Sequence, residues 1–255
     1  MKNILSDIVK TMSQFDTIEY IVLDKTNGGI LATGIDSNKG MVVKGEFPEQ
    51  PDFENNICLG QLKFLRRVLD QEQIQNSDGQ VQFDGKEEFE ENSYYKDITF
   101  KGPRFKVTYN AVGPKTIKSK NKKLYPTIKE IDVDLSVVIE STICEEFKQA
   151  SALQKMMVNT KEDCVVQILV EDENLVMRFP YSSQKIDLII EEGVEFSLNK
   201  DMLFDVSKIE KAMNVILSNE NGKLDIAKNC IDFSTISEEG VYTVRLPKLN
   251  TVKRL

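Results

Sequence analysis

The sequence predicts an α+β protein assembled from two similar halves. Three observations lead there. First, the strand-like run Glu19–Asp24 meets Ile30–Thr33 across Asn27-Gly28-Gly29. At 145 positions further on, Cys164–Val170 meets Leu175–Phe179 across Asp172-Glu173-Asn174. Second, Ile74–Gly79 running into Val81–Phe83 reads as a further hairpin, with a counterpart in Val215–Leu217, Asn221-Gly222 and Leu224–Ile226. Asn-Gly and Asp-Gly suit two-residue hairpins because both central residues take positive φ. Third, an amphipathic helical stretch precedes the first hairpin of each half, and a shorter one separates the two hairpins.

Four helices follow from a period near 100° per residue. In Ile4–Phe15 the residues Ile4, Leu5, Ile8, Val9, Met12 and Phe15 share one arc, with Lys2, Ser6, Lys10 and Ser13 opposite. In Leu59–Asp70 the apolar face is Leu62, Leu65, Val68 and Leu69, while Lys63, Arg66 and Arg67 project away with Asp70 among them. In Ile143–Asn159 the expected core side is Ile143, Phe147, Ala150, Met157 and Val158, with Lys148, Lys155 and Asn159 exposed. The fourth helix, about Met202–Ala212 and as short as two turns, buries Met202, Val206, Ile209 and Met213 and exposes Lys208 and Lys211. Between these stand runs that alternate apolar and polar residues, such as Ile131–Val137 and Val241–Leu246. They read as antiparallel strands with one covered face.

The boundary between the halves is Gly113–Pro126, which holds five lysines and no acid. It reads as a solvated, extended linker. The domains are therefore 1–112 and 127–255, joined by 113–126.

Composition removes whole classes of function. Histidine is absent, and with it the commonest general base, the Ser-His and Cys-His pairs and His-ligated metals. Cys58, Cys144, Cys164 and Cys230 are scattered without a Cys-x-x-Cys pair, as expected of reduced thiols in a cytoplasmic setting. No run approaches a membrane span, and the start lacks an apolar signal core. Gly28-Gly29 lacks the spacing of a phosphate loop. No cofactor or metal is expected, and the chain does not read as an enzyme.

The net charge is −8, placed unevenly. Residues 1–112 carry 13 basic and 18 acidic side chains, and residues 127–255 carry 15 and 23. Such a body binds phosphate only through a local basic face. All four expected helices expose two or three cations. The acid run Glu87–Glu91 reads as a solvated loop. The segment Tyr94–Tyr109 interleaves aromatic and basic residues, the pattern of a single-strand stacking platform. A plain strand is the other reading, with Phe105, Val107 and Tyr109 on one side and Arg104, Lys106 and Thr108 on the other.

Taken together, Ile4–Ile35, Cys58–Leu69, Phe147–Gln154 and Cys164–Val170 give an order of elements that resembles the DNA polymerase sliding clamps, and within them the clamps of T4-type bacteriophages. The resemblance covers most of the chain as a pattern. It implies duplicated clamp domains with antiparallel sheets outside and amphipathic helices lining a ring. It implies a homotrimer, opened onto duplex DNA by an ATP-dependent clamp loader, that tethers the replicative polymerase without reading sequence. In the phage clamps it also implies assistance to late transcription. The setting is then the cytoplasm of the host cell.

On that reading Lys2, Lys10, Lys63, Arg66, Arg67, Lys148, Lys155, Lys208 and Lys211 face DNA. A subunit seam pairs Phe105, Val107 and Tyr109 with Ile186, Leu188 and Ile190 of the next chain. In the resembling family a partner peptide docks in an apolar groove near the connection between domains, which points to Leu124, Tyr125, Pro126, Leu246 and Pro247. The very basic linker and the ending Lys253-Arg254-Leu255 depart from the family pattern. Two other classes stay open: a single-stranded DNA-binding protein using Tyr94–Tyr109, and a structural or assembly protein of a virion.

Overall fold

The computed structural model describes residues 1–37, 40–121, 130–158, 164–181, 184–196, 198, 202–219 and 222–249. The chain divides into one unit of Met1–Ile128 with Glu238–Tyr242, and another of Lys129–Ser237 with Thr243–Leu255.

The first unit begins with α1 (Lys2–Met12), then β1 (Ile18–Thr26), β2 (Gly29–Asp36), β3 (Val42–Phe47) and β4 (Ile57–Leu59). The helices α2 (Leu62–Leu69) and α3 (Glu72–Gln75) follow, then β5 (Gln80–Phe89), β6 (Asn92–Gly102), β7 (Phe105–Asn110) and α4 (Pro114–Asn121). Strands run in the order β4-β1-β2-β3 and, in a separate sheet, β5-β6-β7, with every pairing antiparallel. Ile4, Leu5, Ile8, Val9 and Met12 of α1 and Leu62, Leu65, Val68 and Leu69 of α2 are buried, as the periodicity requires. Asn56 stitches the two sheets together. It accepts the Lys25 N–H on its Oδ1 at 2.8 Å, donates its own N–H to Ser93 O at 3.0 Å, and accepts the Tyr95 N–H at 2.8 Å.

The second unit runs β8 (Leu135–Ile139), α5 (Ser141–Met157), β9 (Val165–Glu171), β10 (Asn174–Tyr181), β11 (Gln184–Glu192), β12 (Leu203–Asp205), α6 (Val206–Leu217), β13 (Gly222–Ala227), β14 (Cys230–Ile236) and β15 (Val241–Pro247). Its strand orders are β11-β10-β9-β12 and β15-β14-β13-β8. From α5 onward the sequence of elements repeats that of the first unit, apart from the four-residue α3: helix, three strands, a short strand, helix, three strands. The strand orders β4-β1-β2-β3 and β12-β9-β10-β11 match one for one, so the duplication is one of topology.

Several sequence expectations are corrected in detail. The first arm of each run read as a second hairpin is helical, because Ile74 lies in α3 and Val215–Leu217 closes α6; Asn221, expected at the second turn, lies outside the described residues. Positive φ does not fall on Asn27 and Gly28 but on Gly29, at φ 150°, where a Cβ would stand 2.1 Å from Phe47 O. The turn with positive φ at both centres is Asp172-Glu173, at 51° and 61°. The Glu87–Glu91 run is not a loop: Glu87 and Glu88 lie in β5, and only Glu90 and Glu91 make its turn into β6. The strand expected over Ile131–Val137 begins at Leu135.

The Gly113–Pro126 stretch is not extended at its start. Pro114 opens α4, where the missing N–H costs nothing. Ile117 is buried and anchors α4 against Val22, Cys58 and Tyr94. Lys118 reaches Glu90 and sits 5.6 Å above the Phe89 ring. Finally, α6 is twelve residues long, since Asp205 caps it by accepting the Ser207 N–H at 2.8 Å.

Candidate nucleic-acid interface

The cations singled out in the sequence divide into three groups. Lys10, Lys63, Arg66 and Arg67 are exposed on α1 and α2. The α2 group is the densest: Lys63 has 78% of its side chain exposed and meets Asp16 at 3.0 Å, and Arg66 lies 3.7 Å from Asp70. Exposed pairs of this kind hold their partners weakly, so the cations stay available to phosphate.

Lys2 is corrected. Its ammonium donates to Asn76 O at 2.9 Å, Gly79 O at 3.2 Å and Gln75 O at 3.4 Å. Those carbonyls end α3 and begin the turn into β5, so Lys2 serves as their cap.

In the second unit Lys148, Lys208 and Lys211 are half-buried, and Lys155 pairs with Glu210 of α6. The expected arc of α5 is rotated. Its buried stripe is Cys144, Phe147, Ala150, Ser151 and Gln154; Ile143, Met157 and Val158 are only half-buried. Apolar periodicity misses this stripe because two of its members are polar. Gln154 is fully buried and donates Nε2 to Val165 O at 2.8 Å and Pro180 O at 3.1 Å, tying α5 to its sheet. The face of α5 opposite this stripe is therefore Glu145, Gln149, Ala152, Leu153 and Met156. Met156 is 84% exposed, and Lys148 and Lys155 stand on the flank.

The stacking-platform reading fails on burial. Tyr94, Tyr95, Phe100 and Tyr109 are buried, so their rings are not open to bases. Phe105 and Val107 are half-buried on the same side of β7 as Tyr109, while Lys106 and Thr108 are exposed. This is the strand alternation.

The residues expected at a subunit seam lie on two sheet edges. β7 ends the order β5-β6-β7, and β11 ends the order β11-β10-β9-β12. Ile186 and Leu188 are half-buried and Ile190 is buried. The Tyr109 side chain turns inward: its hydroxyl donates to Gly60 O at 3.0 Å and accepts the Gly60 N–H at 2.8 Å. It supplies an edge backbone but no free ring.

Of the residues expected to form a peptide groove, Leu124, Tyr125 and Pro126 lie outside the described residues, as does the ending Lys253–Leu255. Leu246 is corrected: it is 2% exposed, inside the second unit's core with Val244. Pro247 is exposed.

The remaining chemistry is structural. Burial pushes the Cys58 thiol up to about 12 and the Cys144 thiol up to about 11, so both stay protonated. None of the four cysteines is in a disulfide. Among the described residues no group of His, Cys, Asp and Glu is arranged to hold a metal, and no helix is long and apolar enough to cross a membrane.

No family model matches the chain, and no curated protein matches it by sequence. Solved structures do match it in fold. Proliferating cellular nuclear antigen from Entamoeba histolytica superposes with a TM-score of 0.67 at 15% identity, over 96% of this chain and 94% of that one. A. fulgidus PCNA with the C-terminal region of FEN-1 bound gives 0.67 at 13% identity, over 98% and 97%. The PCNA2–PCNA3 complex from Sulfolobus tokodaii gives 0.62 at 11% identity, over 97% and 96%. The chain thus has the duplicated sliding-clamp fold, with antiparallel sheets and amphipathic helices in each half.

Proposed function

We propose that this chain is a DNA polymerase sliding clamp: a homotrimeric ring that encircles duplex DNA and tethers the replicative polymerase. The observation that carries the reading is the repeated helix, strand and helix order, with exposed cations concentrated on α2. It runs the full length of a fold that solved neighbours share over more than nine-tenths of both chains.

A tether must stay on DNA without gripping one sequence. Enclosure does this if the lining contacts phosphates weakly and through water. Lys10, Lys63, Arg66 and Arg67 supply such contacts directly. Lys148, Lys155, Lys208 and Lys211 supply them from the flanks of α5 and α6. A net charge of −8 repels DNA from the remaining surface and leaves a basic hole as its favourable place.

Closure follows from the two edges. β7 of one copy pairs with β11 of the next, Phe105 and Val107 opposite Ile186 and Leu188. A heterologous contact of this kind forms a ring when its rotation closes, and it hides edges that otherwise aggregate. The A. fulgidus clamp holds a FEN-1 segment; by the same logic this chain displays partner peptides beside Pro247 and the segment that holds Leu124, Tyr125 and Pro126. An ATP-driven loader opens the ring, and the protein acts in the cytoplasm of the infected host as a phage-type clamp, with late transcription as a second use. It acts as a scaffold and not as an enzyme.

The test is retention. Loaded onto nicked circular DNA, the protein stays bound through gel filtration in moderate salt. Cutting the circle once releases it. Equal retention on circular and cut DNA contradicts enclosure.

A further inference from the structure

We propose that the open edge of β5 is a docking site for an extended segment of a partner protein. The segment adds a strand to the sheet β5-β6-β7, antiparallel along residues 80–84, and turns two apolar side chains in beside Val81 and Phe83. The inference stands apart from the ring reading, which uses β7 at the other end of the same sheet.

The internal duplication supplies the comparison. In the second unit β13 stands between β14 and β8. Leu135 of β8 lies opposite Ile226, Val137 opposite Leu224 and Ile139 opposite Gly222. In the first unit the matching order is β7-β6-β5, and among the described residues no strand lies along the far side of β5. Every second residue of such an edge points its N–H and C=O outward, where another strand can pair with them.

Burial separates an incomplete edge from an ordinary one. Val81 and Phe83 lie opposite Phe100 and Ile98 of β6, both 0% exposed, so they stand on the core face of the sheet. They are nonetheless only half-buried. Phe83 packs its ring against Phe53 and Tyr95, at centroid distances of 5.5 and 5.1 Å, and part of it is left to solvent. In the second unit burial does not fall off toward β13. Leu224, opposite Phe233, is 0% exposed, as is Ile226, and Val137 and Ile139 of β8 are buried beside that face. A strand with apolar side chains at alternate positions would complete the first sheet as β8 completes the second.

The strand itself sets the occupant's length and class. The pairing of β5 with β6 runs from Gln80 to Asp84 and resumes at Lys86. Between them stands Gly85, at φ 66°, where a Cβ would lie 3.1 Å from Lys96 Cβ. The regular edge is therefore five residues long, the length of β8. The inward residues of β8 are Val137 and Ile139, and β-branched side chains of that size suit the space beside Val81 and Phe83. Charge removes an acidic strand from the candidates. β5 carries Asp84, Glu87 and Glu88 against Lys86, and Asp84 accepts from two neutral donors, Gln82 Nε2 at 2.9 Å and Thr99 Oγ1 at 3.5 Å. Nucleic acid is disfavoured by the same charge.

The test uses the full chain, with amide hydrogen exchange read residue by residue and valine methyls labelled. The probe is Lys-Lys-Leu-Ser-Val-Val-Ile-Lys-Lys, built on the sequence of β8. Its control is the same peptide N-methylated through the central five residues, which keeps the side chains and removes the strand donors. The probe should slow exchange at alternate residues of 80–84 and shift the Val81 methyls, and the control should do neither. Val81→Thr, at a half-buried position, should weaken the probe about fourfold, the worth of one methyl group. An edge that the probe leaves exchanging freely would overturn the proposal, as would equal binding of the control. Alternate amides of 80–84 already protected in the free chain would show the edge covered from within. Protection gained only from raised protein concentration would assign the edge to a second copy, and protection gained from a DNA oligonucleotide would assign it to nucleic acid; each of these also overturns the proposal.

Discussion

Tyr109 and Gly60 form a closed pair: one hydroxyl donates to the glycine carbonyl at 3.0 Å and accepts its N–H at 2.8 Å. This pair joins the sheet edge at β7 to the corner that launches α2, the helix with the densest exposed cations. Tyr109→Phe strands two buried backbone groups at once. We expect a loss of about 1–3 kcal/mol in unfolding free energy, measured by urea denaturation. An unchanged midpoint would mean that the corner is held by other contacts.

Asp232, which is buried, and Arg245, which is half-buried, make a second pair, bidentate through Nε to Oδ1 at 2.8 Å and Nη2 to Oδ2 at 2.6 Å. Truncating Arg245 leaves the Asp232 carboxylate buried without its counter-ion. Arg245→Ala is expected to cost about 1–3 kcal/mol. Removing both charges with Asp232→Leu and Arg245→Met should recover most of that. If the double variant is no better than the single one, the pair is not the reason for the loss.

A third expectation concerns pH. Arg178 bonds Asp187 and Glu171, and its hydrogen bonds hold both carboxylates below their ordinary range. A group whose folded pKa is depressed adds stability that is complete above its unfolded pKa and vanishes as pH falls through the folded value. The cluster therefore stabilises at neutral pH and stops doing so in acid, below about 4. Because it is solvent-screened, the effect is modest. Arg178→Met should lower the thermal midpoint at pH 7 and leave it nearly unchanged at pH 2.5. An equal drop at both would assign the effect to packing.

How much of this was legible in the sequence differs by element. α1 and α2 were readable because their buried residues are almost wholly apolar. The buried stripe of α5 lies rotated from the expected arc because Ser151 and Gln154 are in it, and the bonds from Gln154 Nε2 to two strand carbonyls are invisible to hydropathy. The duplicated order survived even where its parts were misjudged. The first arm of each expected second hairpin is helical instead, at the same place in each half. Lys2 looked like one more surface cation, because the carbonyls that it caps lie more than 70 residues away in sequence. Leu246 looked like a groove anchor from its place at the end of the last strand; strand alternation places it inside.

Reversing Lys63, Arg66 and Arg67 to Glu tests the DNA-facing assignment. All three are exposed, so the fold should persist by circular dichroism. Repulsion in a confined basic hole should then abolish processive synthesis by the cognate polymerase, because low-dielectric walls focus the field. A folded triple variant that supports normal processivity would remove α2 from the DNA path.

The central claim, that copies of this chain close into a ring, is tested most directly by negative-stain imaging of the purified protein at micromolar concentration. The account expects particles with threefold symmetry and a central hole wide enough for duplex DNA. Particles that remain single chains across the micromolar range, or that associate without a hole, would contradict it.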